Sequence, residues 1–161
     1  MKKTLLSLAI ASLAAGQSVC AAVEKVYNEP DSVYIFSYAH PEDEGRSGLK
    51  FAWSPDGDKW LSVSDGFAYL KCDFGRWGAE KRMIKPLQEK AEDGRWYCRW
   101  QLTPSGKVWG TSHSSDLLKW APQQYVNAEK PAVPRLVTAR QIVLDKDTLN
   151  GYMQKVPYAD I

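Results

Sequence analysis

Apolar and polar residues alternate in short runs along most of this chain, at the two-residue period of β-strands. Residues 33–39 are rich in β-branched and aromatic side chains and predict a first strand. The following stretch, 41–48, carries three acids, an arginine and two glycines, and reads as a loop. Residues 49–54 alternate large apolar with small or polar side chains and predict a second strand. Two more are expected at 60–63 and 67–72, separated by the turn signal Ser64-Asp65-Gly66. A second series opens after Asp93-Gly94, with strands at 95–102 and 107–113 and the turn Thr103-Pro104-Ser105-Gly106 between them. Beyond it, 128–134 holds two prolines and reads as a linker, 135–144 as a strand, 145–151 as a turn and 152–156 as a last short strand. No stretch sustains a helical period, so the predicted class is all-β.

One heptad occurs twice. Ser54-Pro55-Asp56-Gly57-Asp58-Lys59-Trp60 returns sixty residues later as Ser114-Ser115-Asp116-Leu117-Leu118-Lys119-Trp120, and each copy closes a predicted strand. Self-similarity at a fixed period marks a repeat architecture. The expected organisation is therefore two four-stranded, propeller-like blades, at about 32–74 and 80–126, followed by a linker and short C-terminal β segment at 127–161. A propeller closes with about four blades or more. The chain has room for two and part of a third, so a fragment, a self-associating unit and an open sandwich all remain open. Ser54, Asp56 and Trp60, with Ser114, Asp116 and Trp120, are expected to be structural: the carboxylate accepts backbone N–H groups across the turn while the indole packs between sheets.

The first residues change the picture of charge and compartment. Lys2-Lys3 precedes an uncharged apolar run at 5–15, and Val19-Cys20-Ala21 is an acceptable cleavage triplet, so 1–21 is expected to be a secretory signal peptide. Secreted or periplasmic export is favoured over a lipid anchor on Cys20, because Gln17-Ser18-Val19 is a poor lead-in to a lipidation site. Without Lys2 and Lys3 the 21 basic residues become 19, matching 19 acids. A neutral chain without a basic run gives no reason to expect nucleic acid as partner, and no later segment is apolar enough for a membrane span. Cys72 and Cys98 would remain as an even pair in an oxidising compartment, readable either as a disulfide or as two buried reduced thiols.

Tyr34-Ile35-Phe36-Ser37-Tyr38, the run from Gly48 through Trp60, and the run from Val108 through Trp120 resemble the first two blades of family 43-type glycoside hydrolases. That resemblance covers roughly residues 32–126 and implies a five-bladed propeller scaffold acting on arabinosides and xylosides. The tail, 149–161, is similar to a segment that precedes a family 51-type α-L-arabinofuranosidase barrel. The family's inverting chemistry needs an Asp base, a Glu acid and a second Asp that tunes the acid. Here Lys85 stands where the tuning Asp of an Arg-Asp-Pro triplet is expected, Asp31 is the one acid near the base position, and the acid belongs to a third blade that is missing. A lysine there would lower a neighbouring acid's pKa, the wrong direction for a proton donor. No catalytic residue is therefore assigned.

The remaining residues give no second chemistry. Glu42, Asp43 and Glu44 read as a solvated loop, His40 and His113 have no metal-ligand spacing, and there is no Gly-x-Ser-x-Gly elbow or phosphate-cradling glycine loop. No cofactor is implied. Aromatic rings on strands can serve as sugar platforms as well as core. Trp53, Trp100 and Trp109, with Arg82 and His113 as hydrogen-bonding partners, are the candidate contacts for an arabinose- or xylose-containing polysaccharide. The expected function is an exported fragment or degenerate relative of a glycoside hydrolase, not catalytic alone. The alternatives are a non-catalytic carbohydrate-binding module and a blade-completing interaction domain.

Overall fold

In the computed structural model, which describes residues 29–77 and 80–161, nine strands form two antiparallel sheets. The expected leader at 1–21, with Cys20, lies outside the described residues. Strands β1 (Ser32–Tyr38), β2 (Lys50–Ser54), β3 (Leu61–Ser62), β8 (Val137–Leu144) and β9 (Asp147–Pro157) make a five-stranded sheet ordered β3-β2-β1-β9-β8. Strands β4 (Ile84–Lys90), β5 (Trp96–Gln101), β6 (Val108–Ser114) and β7 (Gln124–Asn127) make a four-stranded meander in chain order. No α-helix occurs among the described residues, and none of their helical turns is long and apolar enough to cross a membrane.

The first strand explains the architecture. It buries both faces: Val33 and Ile35 face one cluster, Phe36 and Tyr38 the other. A strand apolar on both sides cannot sit at an edge open to water. Accordingly β2 pairs with one side of β1 and β9 with the other, opposing Phe36 to both Ala52 and Met153. The larger cluster lies between the sheets, where Val33, Ile35, Phe51 and Val156 meet Met83, Trp96, Cys98 and Trp100. The smaller gathers Phe36, Tyr38, Ile142, Leu144 and Leu149 on the far face of the five-stranded sheet, with Trp60 packed against Phe36 at 5.5 Å between ring centres, so that of the two heptad indoles only Trp120 packs between the sheets as expected. Each fully buried side chain of this size contributes about 1.5–3 kcal/mol.

Two expectations are corrected here. Residues 67–72 are not a strand: only Leu70 bridges to Leu49, and β3 is two residues long. The C-terminal region is not a segment apart, because β8 and β9 complete the first sheet through a hairpin whose turn is Asp145-Lys146 alone, with φ of 49° and 76°. Positive φ at both central residues gives the turn a twist that suits a two-residue hairpin. Of the two readings open for Cys72 and Cys98, the structure has the reduced pair, two free thiols. Both are buried; Cys72 Sγ lies 3.6 Å from the Tyr125 hydroxyl, and burial pushes the Cys98 thiol pKa well up, away from the reactive thiolate.

The repeated heptads occupy equivalent places. Ser54 opposes Tyr34 at the end of β2, and Ser114 opposes Trp96 at the end of β6. In each, the serine hydroxyl donates to the aspartate, at 2.9 Å in the first and 3.1 Å in the second. One carboxylate oxygen then accepts two backbone N–H groups, of Asp58 and Lys59 at 2.9 and 3.0 Å, or of Leu118 and Lys119 at 2.9 and 2.8 Å. Gly57 has φ of +84°, and Leu117 takes the matching left-handed place at +63°. The leucine is held there by packing against the larger cluster and by its carbonyl, which accepts the Trp120 indole N–H at 3.0 Å.

These bonds predict an acid-sensitive fold. The Lys59 N–H, then those of Asp58 and the Ser54 hydroxyl, hold Asp56 down at about 2, and the Lys119 and Leu118 N–H groups likewise lower Asp116. A carboxyl lowered in the folded state stabilises it above the unfolded value near 4, and that contribution is lost as pH falls toward 2. The urea midpoint should therefore drop between about pH 4 and pH 2. An Asp56→Asn, Asp116→Asn double variant should show a shallower drop in that window, because its amides do not titrate. An unchanged slope would show that the two turns contribute nothing to acid unfolding.

Candidate functional site

A groove opens where the loop at 40–48, the start of β4 and the β8–β9 hairpin converge. Two adjoining hollows of about 290 and 490 Å³ share Lys85 and Asn150 in their walls. His40 and Glu44 line the first, while Arg140 and Tyr152 line the second.

Local sequence builds each wall. In the loop, burial works to raise the Asp43 carboxyl. Hydrogen bonds from Ser47 and Gly45 outweigh it, so the group is lowered overall. The Ser47 and Gly45 N–H groups donate to it at 2.8 and 2.9 Å, tying the loop into a closed turn. Gly45, at φ of +76°, accepts the Met83 N–H at 3.2 Å, and a Cβ on it would stand 2.2 Å from the Met83 carbonyl oxygen. Only glycine permits this approach, which presses the loop against the entry to β4. Glu44 then reaches both Arg46 at 2.8 Å and Arg82 at 2.9 Å, so its negative charge is matched twice over.

The central wall is a β-bulge. Ile84 pairs with Gln101 and Leu87 with Arg99, leaving Lys85 and Pro86 together opposite Trp100. Pro86 brings no N–H to the ladder, which a bulge in the edge strand β4 tolerates. Lys85 has φ of +49°, and among the described residues it is the one non-glycine with positive φ inside a strand. The Pro86 carbonyl lies 3.4 Å from the buried Ser37 hydroxyl, which also sits 3.3 Å from the Tyr152 carbonyl, so β1 fixes the bulge and β9 with one side chain. The twist turns Lys85 out of the core alternation and into the groove, where its exposed side chain lines both hollows.

On the hairpin side, Asn150 accepts from the Gln141 side-chain amide at 3.2 Å, and burial raises the Tyr152 hydroxyl. Arg140 lies 3.7 Å from Asp58, a solvent-exposed carboxylate. Chemically, the groove offers amide, guanidinium, ammonium, imidazole and phenol groups to a polar ligand. Among the described residues Glu44 is its single lining acid. Among the described residues, no group of His, Cys, Asp and Glu side chains could hold a metal ion.

The residues expected to touch sugar are scattered. Trp100 is fully buried, and Trp109 is 5% exposed with its indole N–H donated to the Gly106 carbonyl at 2.7 Å. Both belong to the interior, which corrects their expected role as platforms. Trp53 is partly buried against the inter-sheet cluster, and His113 lies on the outer side of the four-stranded sheet, 5.8 Å from the Tyr97 ring. Arg82 alone reaches the groove, through Glu44. Asp31, the acid nearest the expected base position, precedes β1, whose far end leads to His40 at the groove. At roughly 3.3 Å per residue, the two ends of that path are about 30 Å apart. Asn150, Arg140 and Tyr152 were not legible as site residues, because only the pairing of β9 with β1 brings them to Lys85. The Lys85-Pro86 pair inside a strand-like run was the one available signal for the bulge. No family model, curated protein or solved structure matches this chain.

Proposed function

We propose that the chain is a non-catalytic carbohydrate-binding protein built on two propeller-like blades of the glycoside hydrolase type, acting outside the cytoplasm on plant polysaccharide. The observation that carries this reading is the groove around Lys85. It is open, and its second hollow is ringed by side chains that hydrogen-bond hydroxyl groups in pairs (Arg140, Asn150, Gln141) beside the Tyr152 ring. Inverting glycoside hydrolysis needs two carboxyl groups about 6.5–9.5 Å apart, and here Glu44 is a lone acid already paired with two arginines. The blade reading is supported by strand positions: β9-β1-β2-β3 and β4-β5-β6-β7 run in the same order about the two aspartate turns.

Retardation of the protein in gels containing arabinan or arabinoxylan tests the proposal. Asn150→Ala removes an exposed groove amide without opening the core and should weaken retention about tenfold, the loss of one or two hydrogen bonds. Retention unchanged in that variant would place binding elsewhere, and no retention on any polysaccharide would remove the proposal. Release of nitrophenol from an aryl arabinofuranoside would overturn its non-catalytic part.

A second reading, blade completion by self-association, draws on β8. This eight-residue edge strand is uncovered, and Leu136 and Val143 beside and within it are 69% and 65% exposed. Light scattering that shows a monomer at high concentration would exclude it.

A further inference from the structure

We infer that the groove selects an acidic sugar, with the Lys85 ammonium and the Arg140 guanidinium receiving its carboxylate. This deepens the carbohydrate reading above and rests on it. The charges on the walls lead to it. Lys85 lines both hollows and Arg140 the second, so the second hollow faces two cations. Glu44, the lining acid, is neutralised locally by Arg46 and Arg82. Asp58 pairs with Arg140 at 3.7 Å, but it is 84% exposed, and an ion pair between such exposed side chains is weak and yields to a competing anion. His40 contributes no negative charge at any pH. The net wall is positive although the protein as a whole is close to neutral.

The backbone adds an independent argument. A non-glycine at φ of +49° is unfavourable, and the residue before a proline is ordinarily pushed to extended backbone. Such conformations persist where surrounding structure over-determines them, and they cluster at ligand sites. Here Ser37 and the fully buried Pro86 supply that constraint. Its effect is to aim one ammonium group into the middle of the groove. A neutral pentose would leave that charge without a counter-ion, whereas a uronate carboxylate would form charge-assisted hydrogen bonds with both cations.

The experiment compares neutral xylo- or arabino-oligosaccharides with oligogalacturonides and glucuronate-substituted xylo-oligosaccharides of equal length, by calorimetry. A sulfated galactan oligosaccharide distinguishes ester sulfate from carboxylate. The acidic ligands should bind at least tenfold more tightly than the neutral ones, with affinity falling as salt rises. Lys85→Asn removes the charge while keeping a side chain that tolerates the left-handed conformation, and should cancel most of that preference. Arg140→Gln, on the exposed hairpin, provides a second variant that does not touch the bulge. Equal affinity for neutral and acidic ligands would overturn the charge selection and leave carbohydrate binding intact. Tighter binding of the sulfated ligand than of the uronates would overturn the carboxylate assignment, and binding of none would overturn both readings.

Discussion

Trp100→Ala is expected to destabilise the protein by about 3–5 kcal/mol, enough to unfold much of a marginally stable domain of this size. The side chain is fully buried at the centre of the inter-sheet cluster, opposite the Lys85-Pro86 bulge and edge-on to Tyr125 at 6.2 Å. It lies directly over Gly110, its cross-strand partner, where a Cβ would come within 2.2 Å of the ring. One feature moderates the loss: the indole N–H has no hydrogen-bond partner among the described residues, so its removal returns part of a burial cost of about 1–3 kcal/mol. Trp100→Phe, which deletes that N–H but keeps a ring, should therefore cost far less than alanine. Gly110→Ala should itself cost about 1–3 kcal/mol by overpacking, and should be nearly neutral in the Trp100→Ala background, where the ring it strikes is gone. Urea titration of the four proteins measures that cycle. Additive costs would show that the indole does not rest on Gly110. Loss of polysaccharide retention by a fully folded Trp100→Ala protein would return Trp100 to the ligand surface.

The contrast between Trp100 and the aspartate turns shows where sequence was informative. Ser54-x-Asp56 and Ser114-x-Asp116 form their bonds within five residues of chain, so their geometry follows from local composition alone. The all-β class was legible for the same reason, as a local alternation. An aromatic residue on a strand is ambiguous locally, since core and platform both favour it; the partner sheet buries Trp100, while Trp109 is buried on the other face of its own sheet with its indole N–H on the Gly106 carbonyl. The strand expected at 67–72 is rich in β-formers, yet its backbone pairs only locally, with Leu49 through Tyr69 and Leu70, and the free side of β1 is taken by β9 from over a hundred residues away. Such pairing is carried by long-range burial, chiefly of Phe36 and Tyr38, and leaves no mark near either strand. The β8–β9 turn was hidden differently: Asp145-Lys146 adopts positive φ without glycine, so a seven-residue turn was expected where two residues suffice. The site shares these limits, because half of its wall comes from that hairpin.

Gln154→Leu should cost about 2–4 kcal/mol, a large effect for a near-isosteric change in a β protein. Gln154 is 7% exposed on β9, and its side-chain amide meets the backbone of Lys90 on the outer edge of β4. The Lys90 N–H donates to Oε1 at 2.6 Å, while Nε2 donates to the Lys90 carbonyl at 3.1 Å. One side chain thus imitates a paired strand and joins the two sheets where no backbone ladder does. Leucine fills the same space but leaves a half-buried donor and a half-buried acceptor unpaired. Gln154→Glu separates bonding from packing. A protonated carboxyl can accept from the Lys90 N–H and donate to its carbonyl, whereas a carboxylate can only accept and would oppose the carbonyl. The folded protein should therefore raise this carboxyl above its unfolded value near 4.3. The sign follows: the variant should approach the wild-type stability measured at the same pH below about pH 4, and lose ground as pH rises toward neutrality. Denaturation at pH 4 and pH 7 decides the matter. A glutamate variant equally stable relative to wild type at both values would mean that the amide does not pair with Lys90, and that the sheets are held together by the inter-sheet cluster alone.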